Sequence, residues 1–457
     1  MMAFTQTIFP STPAQHSEEE VAERPSNHSV GPHIKNLSNN IVSQEPSARP
    51  DRIIVAKFGG SSLADGERIS KAAKSVAKEV SRGVKVAVVV SAMGKTTDVL
   101  MEILQNSGRG VEKHDVDDIL SMGERTSVRV FAAALKSEGL KVKYFDPHDD
   151  EWPIITDDNF SNANPILEEC KQRIREHVQP LLMNGVIPII AGFVGRTKTG
   201  KISTIGRGGS DTTAFILAQA LGAEEVVLVT DSEGIMTADP KIVKDAKRLE
   251  NIDVNVLVQL ADSGKKFIHR KALRYKDPKI DVRVINLMKG DLEAEGTRIT
   301  GSISSELEVE QVIEEKASML TFVGRGMSRN PKIISDLAEE VEEHSELLGI
   351  SANSDSIILY IKEKGDQEHL CRKLHETMLK HRQAISMNMK TDLAYLRVKG
   401  VGLEETPGLI GKISEALRIN EINIFGILTI TSSILIFISY EEKEKATALI
   451  KRALGVS

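Results

Sequence analysis

The segment KFGGSS at residues 57–62 places a lysine, two glycines and two serines directly after a short apolar run. Glycine lacks a Cβ, so the backbone N–H groups of such a turn can approach an anion closely and surround it. A lysine at the end of the preceding strand can neutralise charge on a phosphoryl group during its transfer. The lysine precedes the glycines, unlike in the P-loop, and the spacing also differs from the dinucleotide motif GxGxxG. A glycine pair alone most often only bends the chain, so this segment needs support from other motifs.

A second segment, TIGRGGSDTT at residues 204–213, lies at the start of a predicted helix. Its glycine pair exposes backbone donors at that helix N-terminus, where anions bind. The Arg207 guanidinium can hold a carboxylate through two parallel hydrogen bonds. Ser210 and Asp211 are residue types that commonly cap helices, so the simpler alternative is that Asp211 only caps this one.

A third segment, VTDSEGIMTADPK at residues 229–241, directly follows a predicted buried strand. Two shorter segments join it, SAMGKTTD at 91–98 and LSMGER at 120–125. In open parallel sheets, ligands bind outside the carboxyl ends of the strands. Since the three longer segments all lie at such ends, the sequence predicts one nucleotide and substrate site on that edge. By itself, the Glu–Arg dipeptide in LSMGER is most simply interpreted as a solvated pair on a helix.

The elements that must position these segments follow from the apolar pattern, which becomes strong after residue 51. Buried strands are predicted at 53–57, 84–90, 142–145, 186–191 and 225–230. Amphipathic helices are predicted at 67–80, 117–136, 165–183 and 211–221. Strands that alternate with helices indicate an α/β domain with a mainly parallel sheet and helices on both faces. We predict that this domain occupies residues 51–301.

The rest of the chain repeats one order of strands and helices. The elements predicted for the first copy are a strand at 319–325, a helix at 331–344 and a strand at 356–361. Those predicted for the second copy are strands at 394–398, 422–427 and 433–439 and helices at 409–418 and 442–454. We predict two α+β units, one at 302–390 including a preceding strand and one at 391–457. The units are either simple packing domains or a ligand-sensing pair.

The charge and cysteine content argue against several classes of protein. The chain has 457 residues, more than one ordinary domain, and its net charge of −6 comes from interleaved charges of both signs. That pattern lacks the basic surface needed to bind nucleic acid or an anionic membrane. The two cysteines, Cys170 and Cys371, cannot form a disulfide framework, which favours a reducing, cytoplasmic location. No apolar run approaches the ~20 residues of a membrane-spanning helix.

Residues 1–50 differ in composition from the rest of the chain. They are rich in Ser, Pro, Asn, His and Glu and lack a sustained apolar period. Such a segment cannot bury enough apolar surface to offset the entropy lost on ordering. The acidic side chains of Glu18, Glu19, Glu20 and Glu23 argue against a transit peptide. We predict a disordered extension.

Together, KFGGSS, VSAMGKTTD, LSMGER, GRGGSDTTA and VTDSEGIMTADP resemble the amino acid kinase superfamily, and within it the aspartate kinase family, in order and approximate spacing. The resemblance covers about residues 52–457. It implies an amino acid kinase fold followed by two ACT-like, ferredoxin-like domains. It also implies ATP-dependent phosphorylation of the side-chain carboxylate of L-aspartate, which begins lysine, threonine and methionine biosynthesis. The alternatives are a catalytically weak amino-acid sensor and a superfamily kinase for another small acid.

The resemblance further implies residue roles. Lys57 would stabilise the phosphoryl group in transfer, and Asp211 would orient the catalytic lysines without acting as a general base, because the substrate carboxylate is already ionised. The implied aspartate pocket is Thr97, Glu124, Arg207, Gly209 and Ser210, with Glu124 on the ammonium and Arg207 on the carboxylate. The implied ATP contacts are Lys57, Phe58, Gly59, Gly60, Ser61, Thr230, Asp231, Met236, Lys241 and Lys266. Mg²⁺ is implied because ATP phosphates need it.

The C-terminal repeat resembles a pair of ACT domains. The segment GLEETPG at 402–408, a following helix and EINI at 421–424 correspond to the ACT loop, helix and second strand. In the family the first ACT unit is inserted into the second, which would assign a strand near 307–312 to the later unit. The resemblance implies lysine or threonine as effector and a homodimer or homotetramer formed through these units. The implied effector contacts are Glu404, Thr406, Gly408, Leu409, Asn423 and Ile424.

Overall fold

The computed structural model describes residues 52–108, 110–261, 268–301, 308–312, 314–400, 403, 408–430 and 433–456. The extension predicted at residues 1–50 lies outside this part of the chain. So do three of the predicted site residues, Lys266, Glu404 and Thr406. No helix in the described part is both long enough and apolar enough to cross a membrane.

The first part of the described chain alternates strands with helices, as the sequence predicts. Its strands are β1 (Ile53–Phe58), β2 (Lys85–Val90), β3 (Val142–Phe145), β4 (Ile155–Thr156), β5 (Ile187–Ala191), β6 (Val194–Thr197), β7 (Ile202–Thr204), β8 (Glu225–Thr230), β9 (Asn251–Asp253), β10 (Asp281–Asn286) and β11 (Thr297–Thr300). Its helices are α1 (Gly66–Ser81), α2 (Thr96–Ser107), α3 (Lys113–Ser137), α4 (Leu167–Arg173), α5 (Gln179–Met183), α6 (Gly209–Leu221), α7 (Val254–Ala261) and α8 (Arg270–Leu273). A π-helical turn at Ile174–Val178 joins α4 to α5, so the helix predicted at 165–183 consists of three helical pieces.

Eight of these strands form one sheet in the order β3-β5-β2-β1-β8-β10-β11-β9. Neighbours from β3 to β10 are all parallel, whereas β11 runs antiparallel to β10. The order reverses at β1, because β2, β5 and β3 extend to one side of it and β8 and β10 to the other. Ligands of open parallel sheets bind outside the carboxyl strand ends at such a reversal. The register aligns Phe58 with Val90 and Val229, so the segments after β1, β2 and β8 start at one level.

The central strands of this sheet are buried on both faces, which explains their continuous apolar sequences. In β1, Lys57 is half-buried and the other five residues are buried. Helix α6 is buried along nearly its whole length. Its first turn lies at the carboxyl edge of the sheet, next to the end of β1. Strands β4, β6 and β7 form a separate small sheet. The predicted parallel α/β class of this domain is confirmed.

The second part of the described chain contains antiparallel strands and four α-helices. Its strands are β12 (Glu308–Gln311), β13 (Ala317–Gly324), β14 (Leu347–Ala352), β15 (Ser356–Lys362), β16 (Ala384–Lys399), β17 (Ile424–Ile430) and β18 (Ser433–Ser439). Its helices are α9 (Pro331–His344), α10 (Gln367–Leu379), α11 (Leu409–Ile419) and α12 (Lys443–Leu454). The strands form one sheet in the order β14-β15-β13-β16-β18-β17, and β12 also pairs with β16.

The 16-residue strand β16 belongs to both halves of this sheet. Its first part pairs with β13, and its last part pairs with β12 and β18. A shared core includes Phe437, whose ring stacks 4.0 Å from Tyr360 and 5.0 Å from Tyr395. The predicted class, a pair of ACT-like α+β units, is confirmed. The domain limits at 301 and 390 remain predictions, and residue 390 lies within β16.

Candidate active site

An ion pair joins the strand at which the order reverses to a helix N-terminus. The Nζ of Lys57, the penultimate residue of β1, lies 2.6 Å from Oδ1 of Asp211 in the first turn of α6. The two side chains are 15% and 9% exposed, so water screens the pair only weakly. The carboxylate fixes the position of the ammonium at the carboxyl edge of the sheet. This geometry suits an orienting aspartate and a lysine held ready for an anionic ligand.

The glycine turn after β1 is tied to both neighbouring strands. The amide of Gly59 donates to the carbonyl of Val229 (3.2 Å), and the carbonyl of Gly60 accepts from the amide of Gly94 (2.9 Å). A Cβ on Gly60 would stand 2.8 Å from the carbonyl oxygen of Ala92, so the turn can approach the loop after β2 only as glycine. Ser61 is half-buried in the same turn.

Phe58, a predicted ATP contact, has its side chain in the core. It is fully buried, and its ring lies 5.1 Å from that of Phe131 in α3. Its carbonyl accepts a hydrogen bond from the amide of Ser91 (3.1 Å). A role for Phe58 at the nucleotide is therefore limited to its main chain.

The loop that leads into α6 contains Arg207 between two glycines in the left-handed region. Gly206 has φ 81° and Gly208 has φ 76°, and a Cβ on Gly208 would stand 2.4 Å from the Cβ of His269. Arg207 is exposed. After the loop, the hydroxyl of Ser91 donates to that of Ser210 (3.0 Å), which joins α6 to the segment following β2.

Glu124 is buried in the middle of α3, with 4% of its surface exposed. Its Oε1 accepts a hydrogen bond from the amide of Ala92 (3.1 Å), while Oε2 is buried without a donor among the described residues. Burial raises the pKa of Glu124 to about 7, outweighing the backbone hydrogen bonds that lower it. A buried acceptor left unpaired in the protein is well suited to receive a donor from a ligand.

The interpretation of the Glu124–Arg125 dipeptide as a solvated pair is wrong. Glu124 lies on the buried face of α3, and the Nε of Arg125 donates to Oδ2 of Asp146 (3.0 Å). Thr97 lies beside this face, because its Oγ1 is 3.6 Å from the position that a Cβ on Gly123 would occupy. The sequence did carry a signal for the burial, since residue 124 continues the helical spacing of the apolar positions 120, 128 and 131.

The residues predicted on the nucleotide side follow β8. Thr230 ends that strand, and its hydroxyl donates to Oδ1 of Asp231 (3.2 Å), which is exposed. Met236 is half-buried and forms an isolated bridge with Arg248. Lys241 is exposed farther along the same segment.

Three residues that the sequence analysis missed hold this edge together. Asn286 ends β10, and its Nδ2 donates to Oε1 of Glu233 (2.7 Å) in the segment after β8. Phe193, in the turn between β5 and β6, has φ 67°, a strained conformation for a bulky residue. Asp117 is fully buried in α3, two turns before Glu124. Helical spacing from Glu124 and a polar residue at a strand end were the available signals for Asp117 and Asn286.

The predicted effector contacts that are described lie around the start of α11 and of β17. Gly408 is the exposed N-cap of α11, with φ 82°. The side chain of Leu409 is 5% exposed and packs in the core with Ile413, so only its main chain can face a ligand. Asn423 is exposed and precedes Ile424, the first residue of β17.

A parallel sheet with a fixed lysine and a glycine turn at its carboxyl edge defines a phosphoryl-transfer enzyme of the α/β class. The sequence profile of the amino acid kinase family matches residues 52–286. An aspartokinase of Geobacillus stearothermophilus is 32% identical over 421 residues, which are 88% of this chain and 99% of that protein. The chain belongs to the amino acid kinase family and, within it, to the aspartokinases.

Two solved structures share this fold. Aspartate kinase from Synechocystis has a TM-score of 0.69 at 24% identity, covering 88% of this chain and 70% of that chain. E. coli aspartokinase III in complex with aspartate and ADP has a TM-score of 0.50 at 23% identity, covering 88% of this chain and 100% of that chain. At these identities the likeness confirms the fold.

Proposed function

We propose that this chain transfers the γ-phosphoryl group of ATP to the side-chain carboxylate of L-aspartate, giving 4-phospho-L-aspartate and ADP. The observation that carries the proposal is a convergence at one sheet edge. The loop after β2 donates to the glycine turn through Gly94, contacts α6 through Ser91 and donates to Glu124 through Ala92. A phosphate-side lysine and a carboxylate suited to an ammonium are thus attached to the same loop.

Lys57 is proposed to stabilise the negative charge that moves between oxygens during transfer. Phosphoryl transfer depends mostly on positioning and on cations aimed at that charge. The carboxylate acceptor has a pKa of about 3.9 in solution and is ionised at neutral pH. No proton needs to be removed, so Asp211 acts on Lys57 and not on the substrate. The ion pair at 2.6 Å supports this assignment.

Glu124 and Arg207 are proposed to hold the two ends of aspartate. The free Oε2 of Glu124 would accept from the substrate ammonium, and Arg207 would bind the α-carboxylate through its two-pronged guanidinium. Thr97 beside Glu124, and Gly209 and Ser210 at the start of α6, would line the space between them.

ATP is proposed to lie across Gly59, Gly60 and Ser61 and the segment after β8. Mg²⁺ would enter with the phosphates of ATP and would neutralise part of their charge. In the described part of the chain, the one group of three or more side chains placed to share a metal is Glu340, Glu343 and His344, in α9 of the second part.

The test is aspartate-dependent ADP release by the purified chain and three variants. Lys57→Ala should lower kcat by about 10²–10³ with little change in the Michaelis constant for aspartate. Arg207→Ala should instead weaken aspartate binding by roughly 1.5–3 kcal/mol. Lys74→Ala, on the exposed face of α1, is the control and should match the parent chain. Phosphorylation of glutamate in place of aspartate would favour a kinase for another small acid, and no activity would favour a sensor.

The C-terminal pair is proposed to bind an amino-acid effector, lysine or threonine, near the start of α11, and to assemble the chain into a homodimer or homotetramer. The first turn of α11 after Gly408 offers backbone donors for a carboxylate. Calorimetry with lysine, threonine and methionine tests the binding, and sedimentation tests the assembly. If the effector weakens substrate binding by some factor, linkage requires that the substrate weaken effector binding by the same factor. If none of the three binds at millimolar concentration, the pair is structural.

A further inference from the structure

The carboxylate of Asp117 is fully buried and accepts four hydrogen bonds from two other segments. Its Oδ2 accepts from the amides of Ser161 and Thr204, both at 2.8 Å. Its Oδ1 accepts from the hydroxyls of the same two residues, at 3.2 and 2.9 Å. Through these four hydrogen bonds the Asp117 side chain holds both segments against α3.

The two clamped segments form the base of the Arg207 loop. Thr204 ends β7, three residues before Arg207, and its carbonyl accepts from the amide of Ala163 (2.9 Å). Ser161 is held at φ 69°, a conformation that non-glycine residues rarely adopt. Such a conformation persists only where its surroundings determine it, and the bonds to Asp117 do so here.

Lys271 holds the same two segments from a different element. Its Nζ donates to Oδ1 of Asn162 (2.7 Å) and to the carbonyls of Ala163 (2.9 Å) and Ile205 (2.6 Å). The chain on the amino side of Arg207 is therefore fixed up to residue 205, while the Arg207 side chain is exposed. The direction in which that side chain leaves the loop depends on this base.

Helix α3 connects this base to the other end of the proposed pocket. Asp117 and Glu124 are seven residues apart on one face, about 10 Å along the helix axis. We infer that Asp117 is a positioning residue that sets the place of the Arg207 loop relative to Glu124. This inference rests on the proposed function, in which the Arg207 loop and Glu124 hold the two ends of aspartate. A misplacement of about 1 Å between such groups can cost about 100-fold.

Asp117→Asn is the most direct test. Asparagine keeps the size of the side chain but replaces one acceptor oxygen by an NH₂ group, so it cannot accept all four hydrogen bonds from Ser161 and Thr204. We expect the Michaelis constant for aspartate to rise about 10-fold or more, with that for ATP within about twofold. Asp118→Asn is the matched control, because Asp118 is the exposed neighbour on the same helix, and it should match the parent chain. If Asp117 had only a structural role, Asp117→Asn would lower the melting temperature and leave the Michaelis constant for aspartate unchanged. That result would overturn the inference.

A double-mutant cycle tests whether Asp117 acts through Arg207. If it does, Asp117→Asn should have little further effect on the Michaelis constant in the Arg207→Ala background. Fully additive effects would overturn the inference. If Asp117→Asn fails to fold, Thr204→Val replaces it, because it removes one hydroxyl donor and keeps the amide donor. It should also raise the Michaelis constant for aspartate and not that for ATP, by a smaller factor. An inactive parent chain refutes the proposed function instead, so the two failures are distinguishable.

Discussion

The buried carboxyl of Glu124 predicts how aspartate binding depends on pH. Burial raises the pKa of Glu124 to about 7 in the free protein, and only the ionised form can pair with the substrate ammonium. With that pKa, about nine-tenths of the protein is competent at about pH 8 and about one-eleventh at about pH 6. Apparent affinity falls in proportion to the competent fraction. The Michaelis constant for aspartate should therefore rise about 10-fold over this interval.

The limiting rate should respond differently. Once the ammonium is bound, it stabilises the carboxylate, so kcat at saturating aspartate should stay nearly constant down to about pH 6. ADP should be measured directly by chromatography, since coupling enzymes have pH dependences of their own. Glu124→Gln should bind aspartate weakly at every pH and lose the dependence. Glu138→Gln, at the exposed end of the same helix, should keep it. A Michaelis constant that stays flat from about pH 8 to 6 in the parent chain would refute this reasoning.

Three further predictions concern stability. Gly208→Ala should lower the free energy of unfolding in urea by clearly more than the roughly 1–2 kcal/mol of left-handed strain, because its Cβ would meet His269. In the control Gly222→Ala the new Cβ has open space, so that variant should lose only the energy of the strain. Hydrogen bonds from Arg82 outweigh burial and hold the pKa of Asp291 well below its usual range. The stability that the ionised Asp291 adds is present above about pH 4 and is lost as pH falls through the lowered pKa. The difference in the free energy of unfolding between the parent chain and Asp291→Asn should therefore shrink in acid, as followed by circular dichroism. Removal of residues 1–50 should leave the melting temperature and activity unchanged, because the segment has no apolar pattern with which to pack.

The central parallel strands were predictable because both of their faces are buried. Residues 225–230 match β8 to the residue, since its short, continuous, β-branched run is typical of a buried strand. Residues 142–145 also match β3, although only Phe145 is buried there. Helix α2, between residues 96 and 107, was missed because Leu104 is its one buried residue, so the helix has no continuous apolar stripe. Helix α10 was also missed, although its buried residues Leu370, Leu374 and Met378 lie at helical spacing.

The site was predictable in its motifs but not in its supporting contacts. Lys57 and Asp211 lie far apart in sequence, and only the sheet brings them to 2.6 Å. Asp117 looked like one more charge at the start of a polar helix, and its four donors come from segments 44 and 87 residues away. Contacts of this kind depend on tertiary packing. Helical spacing could indicate that Asp117 and Glu124 lie on the buried face of α3, but no local pattern identifies the partners of Asp117.

Strand β16 has a consequence for how the C-terminal part of the chain can be divided. A module that can be exchanged between proteins normally begins and ends in loops, where few backbone bonds cross the boundary. Here a cut at residue 390 would fall inside a ladder and separate most of the residues that pair with β13 from those that pair with β18. Each fragment would carry an incomplete edge strand, which invites pairing with other chains. The two units should therefore be truncated or transplanted only as one piece, and a fusion designed to carry the C-terminal pair must take residues 308–456 together.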